Sequence, residues 1–309
     1  MSCAVLTDST FGLELCLEAT TAAVSAAAAA LAEKDPRAAL ALPSSSLQAP
    51  PNLHVWAGYA GCARRPDYER LYAPLCSLFP KGTDVRLTGD AELLTAPLYA
   101  SMRAHVRECV TTICGTGSVS LLWRRDGERW VQAVRIGGWG PLLGDEGSGW
   151  ATGKAAITSV LTAAANGIPL VEWQERVLAH FGVTSANDLI TASCALDPDL
   201  PAPLADSERK KRIAACTRIV VGAAGSDSTG AARRVLQKTA AQVVDNLEPL
   251  VDQLQGSAVL VVAGGLGQVD AMWREVHALM EARKWHWAEL VKLPDPGMSG
   301  LEALIESHM

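Results

Sequence analysis

A glycine-rich block at residues 137–150 constrains this chain more than any other part of its sequence. It reads Gly-Gly-Trp-Gly-Pro-Leu-Leu-Gly-Asp-Glu-Gly-Ser-Gly-Trp and follows an apolar segment with strand character. Closely spaced glycines make backbone amides accessible to a ligand. The adjacent carboxylates of Asp145 and Glu146 can bind sugar hydroxyls or approach a metal. Taken alone, the Gly-Asp-Glu-Gly segment is more typical of a tight turn with a solvated acidic pair.

Strand and helix patterns alternate along the chain, which predicts an α/β fold with a largely parallel, covered sheet. Strands are expected at 54–58, 85–88, 110–114, 119–123, 131–136, 258–263 and near 290, and helices at 13–33, 66–79, 91–105, from 151, and 271–284. Residues 170–254 are expected to be mostly helical, with the charge run 208–212 on a solvated face. Residues 42–51 are predicted to form a loop, and a short helix is predicted at the C-terminus.

Composition excludes several classes of protein. The chain has 309 residues, 49% of them hydrophobic and 19% charged, with a formal net charge of −6, which does not favour nucleic-acid binding. No segment has the roughly 18 apolar residues that a membrane span needs, and no secretory signal is evident, so a soluble cytoplasmic protein is expected. The eight cysteines form no C-x-x-C pair and are interpreted as free thiols.

Three further segments could carry chemistry. Gly115-Thr116-Gly117 follows an apolar strand and could turn backbone N–H groups toward an anion, although such turns are common in hairpins. Asp90 ends a strand and precedes a helix, where it could act either as a general base or as a helix N-cap. Gly264-Gly265 joins a strand to a helix and would allow close backbone approach to a ligand.

The 137–150 block, together with the 115–118 turn, resembles the signature of the N-acetylglucosamine kinase family, which includes ATPases related to benzoyl-CoA reductase activators. That family belongs to the sugar kinase, Hsp70 and actin superfamily. The resemblance extends from about residue 13 to about residue 300 and is strongest over 109–157. It implies a two-lobed ribonuclease H-like (actin-like ATPase) fold, with nucleotide and sugar in the cleft between lobes at 1–106 and 107–309. The last helix is a candidate for packing back on the N-terminal lobe.

The resemblance also implies ATP-dependent phosphorylation of an amino sugar, most simply N-acetylglucosamine at its primary hydroxyl, with ATP and Mg²⁺. Asp90 would be the catalytic base, although the family's preceding Asn is Gly89 here. Residues that would contact the nucleotide are Gly115, Thr116, Gly117, Gly225, Gly264 and Gly265, and those that would contact the sugar are Gly138, Trp139, Gly140 and Asp145. Trp139 could equally be a core aromatic, Ser226 loosens the match at Gly225, and no residue is assigned to the metal.

The chain departs from the family at its start. The superfamily's opening Asp-x-Gly-Gly-Thr phosphate loop has no counterpart, because Asp8-Ser9-Thr10 lacks the glycines, and Phe11 lies near the place of a sugar-binding Asn. The first hairpin of the N-terminal lobe is therefore expected to be missing. An active kinase and a catalytically impaired sugar- or nucleotide-binding pseudokinase both remain open, and an iron–sulfur activator ATPase is a third alternative. A homodimer is one expected assembly, since related kinases commonly form dimers.

Overall fold

The computed structural model describes residues 2–5, 17–18, 20–22, 24–25, 54–59, 65–99 and 103–294. The chain divides into two compact units, the first comprising Met1–His105 with Asp295–Met309 and the second Val106–Pro294. Several predictions lie outside the described residues: the role of 8–11, the 42–51 loop and the C-terminal helix.

The first unit contains a sheet of three parallel strands in the order β1-β2-β3. Its elements are β1 (Ser2–Val5), β2 (His54–Tyr59), helix α1 (Arg65–Cys76) and β3 (Asp84–Gly89). One face of the sheet packs against α1, where Val55, Leu75 and Phe79 are buried together. Alternation along β2 sends Trp56 to the other face, where it packs with Leu93 and Ala96. The residues described between 17 and 25 are helical, as predicted.

The structure corrects the prediction of a helix at 91–105. Asp90–Tyr99 forms a 3₁₀ helix instead of an α-helix. Pro97 lies inside it and lacks the N–H that an α-helix would bond to the carbonyl of Leu93. The 3₁₀ helix packs closely on β2, since a Cβ at Gly58 would lie 2.4 Å from a Leu93 methyl and 3.3 Å from the Cα of Asp90. The glycine therefore sets how near the segment that carries Asp90 comes to the sheet.

The second unit contains a five-stranded mixed sheet in the order β6-β5-β4-β7-β8. Strands β4 (Glu108–Cys114), β5 (Ser118–Asp126) and β6 (Arg129–Gly137) are antiparallel. Strands β7 (Ala258–Ala263) and β8 (Glu289–Leu293) continue the sheet in parallel with β4. The parallel set β4-β7-β8 repeats the three-strand arrangement of the first unit.

Six α-helices complete the described part of the second unit. They are α2 (Gly149–Ala165), α3 (Glu172–His180), α4 (Ala186–Cys194), α5 (Ala202–Ala223), α6 (Ala231–Val251) and α7 (Asp270–Ala282). Helices α6 and α7 bury one stripe against the sheet, including Val244, Leu247 and Trp273. A second hydrophobic core is shared by the five helices α2, α3, α4, α5 and α6, and it includes Val160, Trp173 and Val220. Residues 219–221 lie in α5, which confirms their helical assignment.

Two further predictions concern single features. Within the described residues, no helix is long and apolar enough to cross a membrane. Five cysteines are free thiols: Cys109, Cys114 and Cys216 are buried, Cys76 is half-buried and Cys194 is exposed. Burial raises the pKa of Cys114 to about 11 and that of Cys216 to about 12, so these thiols are unreactive near neutral pH.

Candidate functional site

The turn at residues 115–117 joins β4 to β5 and presents an exposed Thr116 side chain. The turn is closed by the Gly115 N–H, which donates to the Gly117 carbonyl at 3.0 Å. In the described part of the chain, the N–H groups of Thr116 and Gly117 donate to no backbone carbonyl outside regular strands and helices. Unpaired N–H groups beside a hydroxyl form a suitable cradle for a phosphate.

Helix α2 begins directly on this turn. The N–H of Gly149 donates to the Gly115 carbonyl at 2.8 Å, and the N–H of Trp150 donates to the Thr116 carbonyl at 3.1 Å. The Ser148 hydroxyl accepts from the N–H of Ala151 at 3.2 Å. The first donors of α2, which would otherwise be free, are therefore used to hold the turn. A phosphate in this region would bind the turn and not the helix N-terminus.

Asp145 is buried, with a relative exposure of 3%. Its Oδ1 accepts from the N–H of Ser118 at 3.0 Å, and its Oδ2 lies 2.8 Å from the Nζ of Lys210 on α5. Its backbone has φ of +65°, a left-handed conformation that Asp and Asn adopt more readily than most residues. The carboxylate lies against the turn, because a Cβ at Gly117 would be 2.6 Å from Oδ1. The sequence prediction of Asp145 as a site residue missed this lysine partner.

The segment after Asp145 is fixed by side chains of α6 and β5. The Glu146 carbonyl accepts from the Ser118 hydroxyl at 2.6 Å and from the Asn246 amide at 2.9 Å. The N–H of Gly147 donates to Gln242 at 3.2 Å. The Glu146 side chain itself is exposed. Of the two carboxylates in the motif, only Asp145 is built into the protein interior.

The opposite end of the glycine-rich block is exposed. Trp139 is 59% exposed, which rules out the alternative that it is a core aromatic. Gly138 and Gly140 have φ values of +70° and +83°, and the guanidinium of Arg135 donates to the Gly138 carbonyl at 3.3 Å. The neighbouring Leu142 and Leu143 are also exposed. Of the four residues predicted to contact a sugar, Gly138, Trp139 and Gly140 are thus accessible in the second unit, whereas Asp145 is buried.

The second glycine turn follows β7 and packs on the first. Gly264 has φ of +88°, and a Cβ at this position would lie 2.6 Å from the carbonyl carbon and oxygen of Cys114. Only glycine allows this approach. Gly265 differs, since a Cβ there would meet nothing within 4 Å. The first glycine of the pair therefore brings the two turns together, and the second faces open space.

The 115–117 turn, the start of α2, helix α5 and the Gly264-Gly265 turn surround one cleft of about 710 Å³. One wall is the face of α5 that runs from Lys211 to Gly222, where the lining residues recur every three or four positions. The other wall is formed by the two glycine turns and the following 3₁₀ helix, Leu266–Gln268. The cleft is lined by Gly115, Thr116, Gly149, Lys211, Ala214, Ala215, Thr217, Arg218, Val221, Gly222, Gly265, Leu266 and Val269. The lining includes two cations and no carboxylate, which favours an anionic ligand.

Of the six predicted nucleotide residues, three line this cleft and three do not: Gly115, Thr116 and Gly265 line it, whereas Gly117, Gly225 and Gly264 do not. Gly222, one helical turn earlier, lines the cleft instead, and a Cβ at either glycine would meet nothing within 4 Å. The sequence also missed Lys211 and Arg218. Cations and small residues recurring at helical spacing along α5 were the signal that could have identified them.

Asp227, beside Gly225, organises the start of α6. Its carboxylate accepts from the N–H and hydroxyl of Thr229, from the N–H of Ala232 at 2.9 Å and from the indole of Trp173 at 3.2 Å. Burial raises the pKa of this carboxyl, but the hydrogen bonds outweigh that effect and the net pKa is lowered. The Gly225-Ser226-Asp227 segment thus has a clear structural role.

Asp90 lies in the first unit, at the start of the 3₁₀ helix that follows β3. It is half-buried, and its Oδ1 accepts from the N–H of Ala91 at 2.9 Å. The N–H of the preceding Gly89 donates to the hydroxyl of Tyr68 at 3.2 Å. This position at the carboxyl end of a parallel strand is where ligands of such sheets gather. It suits both interpretations of Asp90, a general base and a cap.

No protein-family model matches the chain. Among curated proteins, an 89-residue segment is 42% identical to the N-acetyl-D-glucosamine kinase of Dictyostelium discoideum, covering 29% of this chain and 26% of that one. A segment of 212 residues is 28% identical to the N-acetylmuramic acid/N-acetylglucosamine kinase of Clostridium acetobutylicum, covering 68% of this chain and 62% of that protein. The chain thus spans less than two thirds of the length of these two relatives.

Among solved structures, a putative N-acetylglucosamine kinase from Chromobacterium violaceum superposes with a TM-score of 0.64 at 20% identity. The match covers 96% of this chain and 87% of that structure. The chain therefore shares the α/β fold of that structure. Segments of its sequence are similar to named N-acetylglucosamine kinases.

Proposed function

We propose that this chain is an ATP-dependent kinase of an amino sugar, with N-acetylglucosamine as the preferred substrate and its primary hydroxyl as the phosphate acceptor. The observation that carries the proposal is the cleft of the second unit, where the 115–117 turn, the Gly264-Gly265 turn and α5 meet beside a buried Asp145. The names of the two curated relatives support the sugar.

The cleft suits a nucleotide. The N–H groups and hydroxyl of the 115–117 turn would bind phosphate oxygens, and the exposed Lys211 and Arg218 would neutralise their charge. The smaller residues of α5, with Gly265 and Leu266 opposite, leave space for the ribose and base. Phosphoryl transfer depends chiefly on such positioning and charge neutralisation. Gly264 would act indirectly, by holding the two turns together.

Asp90 would accept the proton of the attacking sugar hydroxyl, since a carboxylate at a strand end can act as general base. Asp145 and the exposed segment 138–140 would hold the sugar, with a carboxylate on hydroxyls and an indole against C–H surface. Mg²⁺ would neutralise phosphate charge and is commonly held by phosphates, water and one or two carboxylates. The described residues contain no group of three or more metal-ligating side chains, so no step is assigned to a protein-bound metal.

The proposal is tested by sugar-dependent ADP release, together with calorimetric titration of MgATP and N-acetylglucosamine. N-acetylmuramic acid and glucose serve as comparison sugars. Asp90→Asn, which keeps the shape of the side chain, should abolish turnover and preserve binding of both ligands. Binding by the wild type without ADP release would favour the pseudokinase alternative.

The nucleotide site is tested with a matched pair of glycine variants. Gly222→Leu places a side chain into the cleft and should weaken MgATP binding at least tenfold, whereas Gly225→Leu should leave it unchanged. Neither position has positive φ or a close neighbour, so both variants should fold. Equal loss in the two variants, or none in Gly222→Leu, would contradict the placement of the nucleotide.

A further inference from the structure

Lys210 is distinguished from the other charged residues in the 208–212 run of α5. Lys211 forms an exposed pair with Glu208, and the guanidinium of Arg212 donates to the carbonyls of Ala192 and Ala195. Lys210 instead reaches the buried carboxylate of Asp145. Its side chain is 24% exposed, against 3% for its partner. The sequence prediction of a solvated helix face is therefore wrong for Lys210.

The bonding of Asp145 depends on this lysine. Oδ1 accepts from the N–H of Ser118, and Oδ2 lies 2.8 Å from the Nζ of Lys210, its partner within the described part of the chain. Buried ion pairs are poor sources of stability, and a buried carboxylate oxygen that loses its partner is costly unless another donor replaces it. If the lysine turns away, a ligand hydroxyl can therefore take its place at Oδ2.

Lys210 also lies next to the turn that forms the phosphate cradle. A Cβ at Gly117 would be 3.0 Å from its Nζ. Along α5, Lys210 shares a face with Ala214 and Arg218, which line the cleft at intervals of four residues. A flexible lysine here can reach a phosphate held by the turn without movement of the helix.

We propose that Lys210 couples binding of the nucleotide to binding of the sugar. With the cleft empty, its ammonium neutralises Asp145. When a nucleoside triphosphate occupies the cleft, the ammonium turns to the terminal phosphates, and Oδ2 of Asp145 becomes free to accept a hydrogen bond from a sugar hydroxyl. This inference rests on the proposed function, because it assumes that the cleft binds a nucleotide and that Asp145 contacts the sugar.

The coupling has measurable consequences. A triphosphate should raise sugar affinity, and the sugar must raise triphosphate affinity by the same factor, because linkage is reciprocal. We expect a factor of about ten, within the usual range for coupled sites. AMP lacks the terminal phosphates and should give no coupling. These differences separate a switching lysine from one that only stabilises the fold.

The experiment is calorimetric titration of N-acetylglucosamine into the full chain alone, with saturating Mg-AMPPNP, and with saturating AMP. Lys210→Met should reduce the coupling factor to about one, while its sugar affinity without nucleotide equals or exceeds that of the wild type. Lys211→Met, a neighbouring charge removal in the same cleft, should weaken the nucleotide but keep the coupling. A Lys210→Met/Asp145→Asn double variant, which buries no lone charge, should also show no coupling.

Coupling that persists in Lys210→Met or in the double variant would overturn the inference. A wild type that binds both ligands independently would overturn it too, while leaving the proposed function intact. A wild type that binds neither ligand would overturn the proposed function and the coupling together.

Discussion

Gly153 in α2 lies where the backbones of α2 and α5 come closest, and Gly153→Ala should be strongly destabilising. A Cβ at this position would lie 1.9 Å from the Ile213 carbonyl oxygen, whereas ordinary van der Waals contact begins at 3.4 Å. The two helices would have to separate by about 1.5 Å to relieve the overlap. The two nearest atoms, the carbonyl oxygen and carbon of Ile213, belong to the backbone. A rotation of a side chain therefore cannot relieve the overlap.

The magnitude follows from two opposing effects. Overpacking of a well-packed core costs about 3 kcal/mol at the upper end of its usual range. Replacing a helical glycine with alanine returns about 1 kcal/mol, because alanine restricts the unfolded chain and favours the helix. The net loss is about 2 kcal/mol, which corresponds to a fall in Tm of about 4–8 °C for a unit of this size.

Gly222→Ala is the matched control. It makes the same chemical change near the end of α5, where the added methyl would meet nothing within 4 Å. We expect it to raise stability by up to about 1 kcal/mol. Thermal and urea unfolding, followed by circular dichroism, measure both variants. A Gly153→Ala protein as stable as Gly222→Ala would refute the close approach of α2 and α5.

Three other predictions test separate parts of the second unit. Asp145→Ala should be less stable than Asp145→Asn by about 1–2 kcal/mol, because alanine at φ of +65° is strained and asparagine keeps the acceptor for the Ser118 N–H; equal urea midpoints would contradict this. Asp227→Ala should lower the free energy of unfolding by about 1 kcal/mol, because the hydrogen bonds at the start of α6 are lost. The pKa of Asp227 is lowered in the folded state, so its stabilisation is present above the unfolded pKa and is lost as the pH falls through the folded pKa. The difference in stability between the variant and the wild type should therefore vanish in acid. At pH 8 a thiol reagent should label Cys194 quickly and leave Cys114 and Cys216 unlabelled, because burial raises their pKa values; mass spectrometry of peptides would reveal any early labelling of the buried pair.

Strand β7 could be predicted because its burial is continuous. All six of its residues are buried, so the sequence shows an unbroken apolar run. The sequence predicts a helix at 91–105, and the structure has a 3₁₀ helix at Asp90–Tyr99 with Pro97 inside it. The proline alone does not account for the difference, because Pro74 and Pro249 lie inside α-helices. A pattern of hydrophobicity does not distinguish 3₁₀ from α geometry, since both bury one face against the same sheet.

The charged residues could not be assigned from sequence in the same way. A run such as 208–212 gives the same local signal whether its lysines face water or a buried carboxylate. Lys210 finds its partner in a loop that is distant along the chain, and the contact depends on how α5 packs against α2. Local propensity contains no information about such a long-range pair, whereas the helical spacing of small residues along α5 is a local signal that could have indicated which face lines the cleft.

Two glycines of the 137–150 block serve close packing and do not leave their amides open to a ligand. The sequence predicts amides open to a ligand, but the N–H groups of Gly147 and Gly149 are already bonded to Gln242 and to the 115–117 turn. A Cβ at Gly147 would lie 2.7 Å from a methyl of Val243. Close packing is therefore what requires glycine at Gly147, and the consequence is a carboxylate at Asp145 held rigidly beside the turn. The motif builds the site by fixing Asp145, and the amides that remain for a phosphate belong to the turn that the block supports.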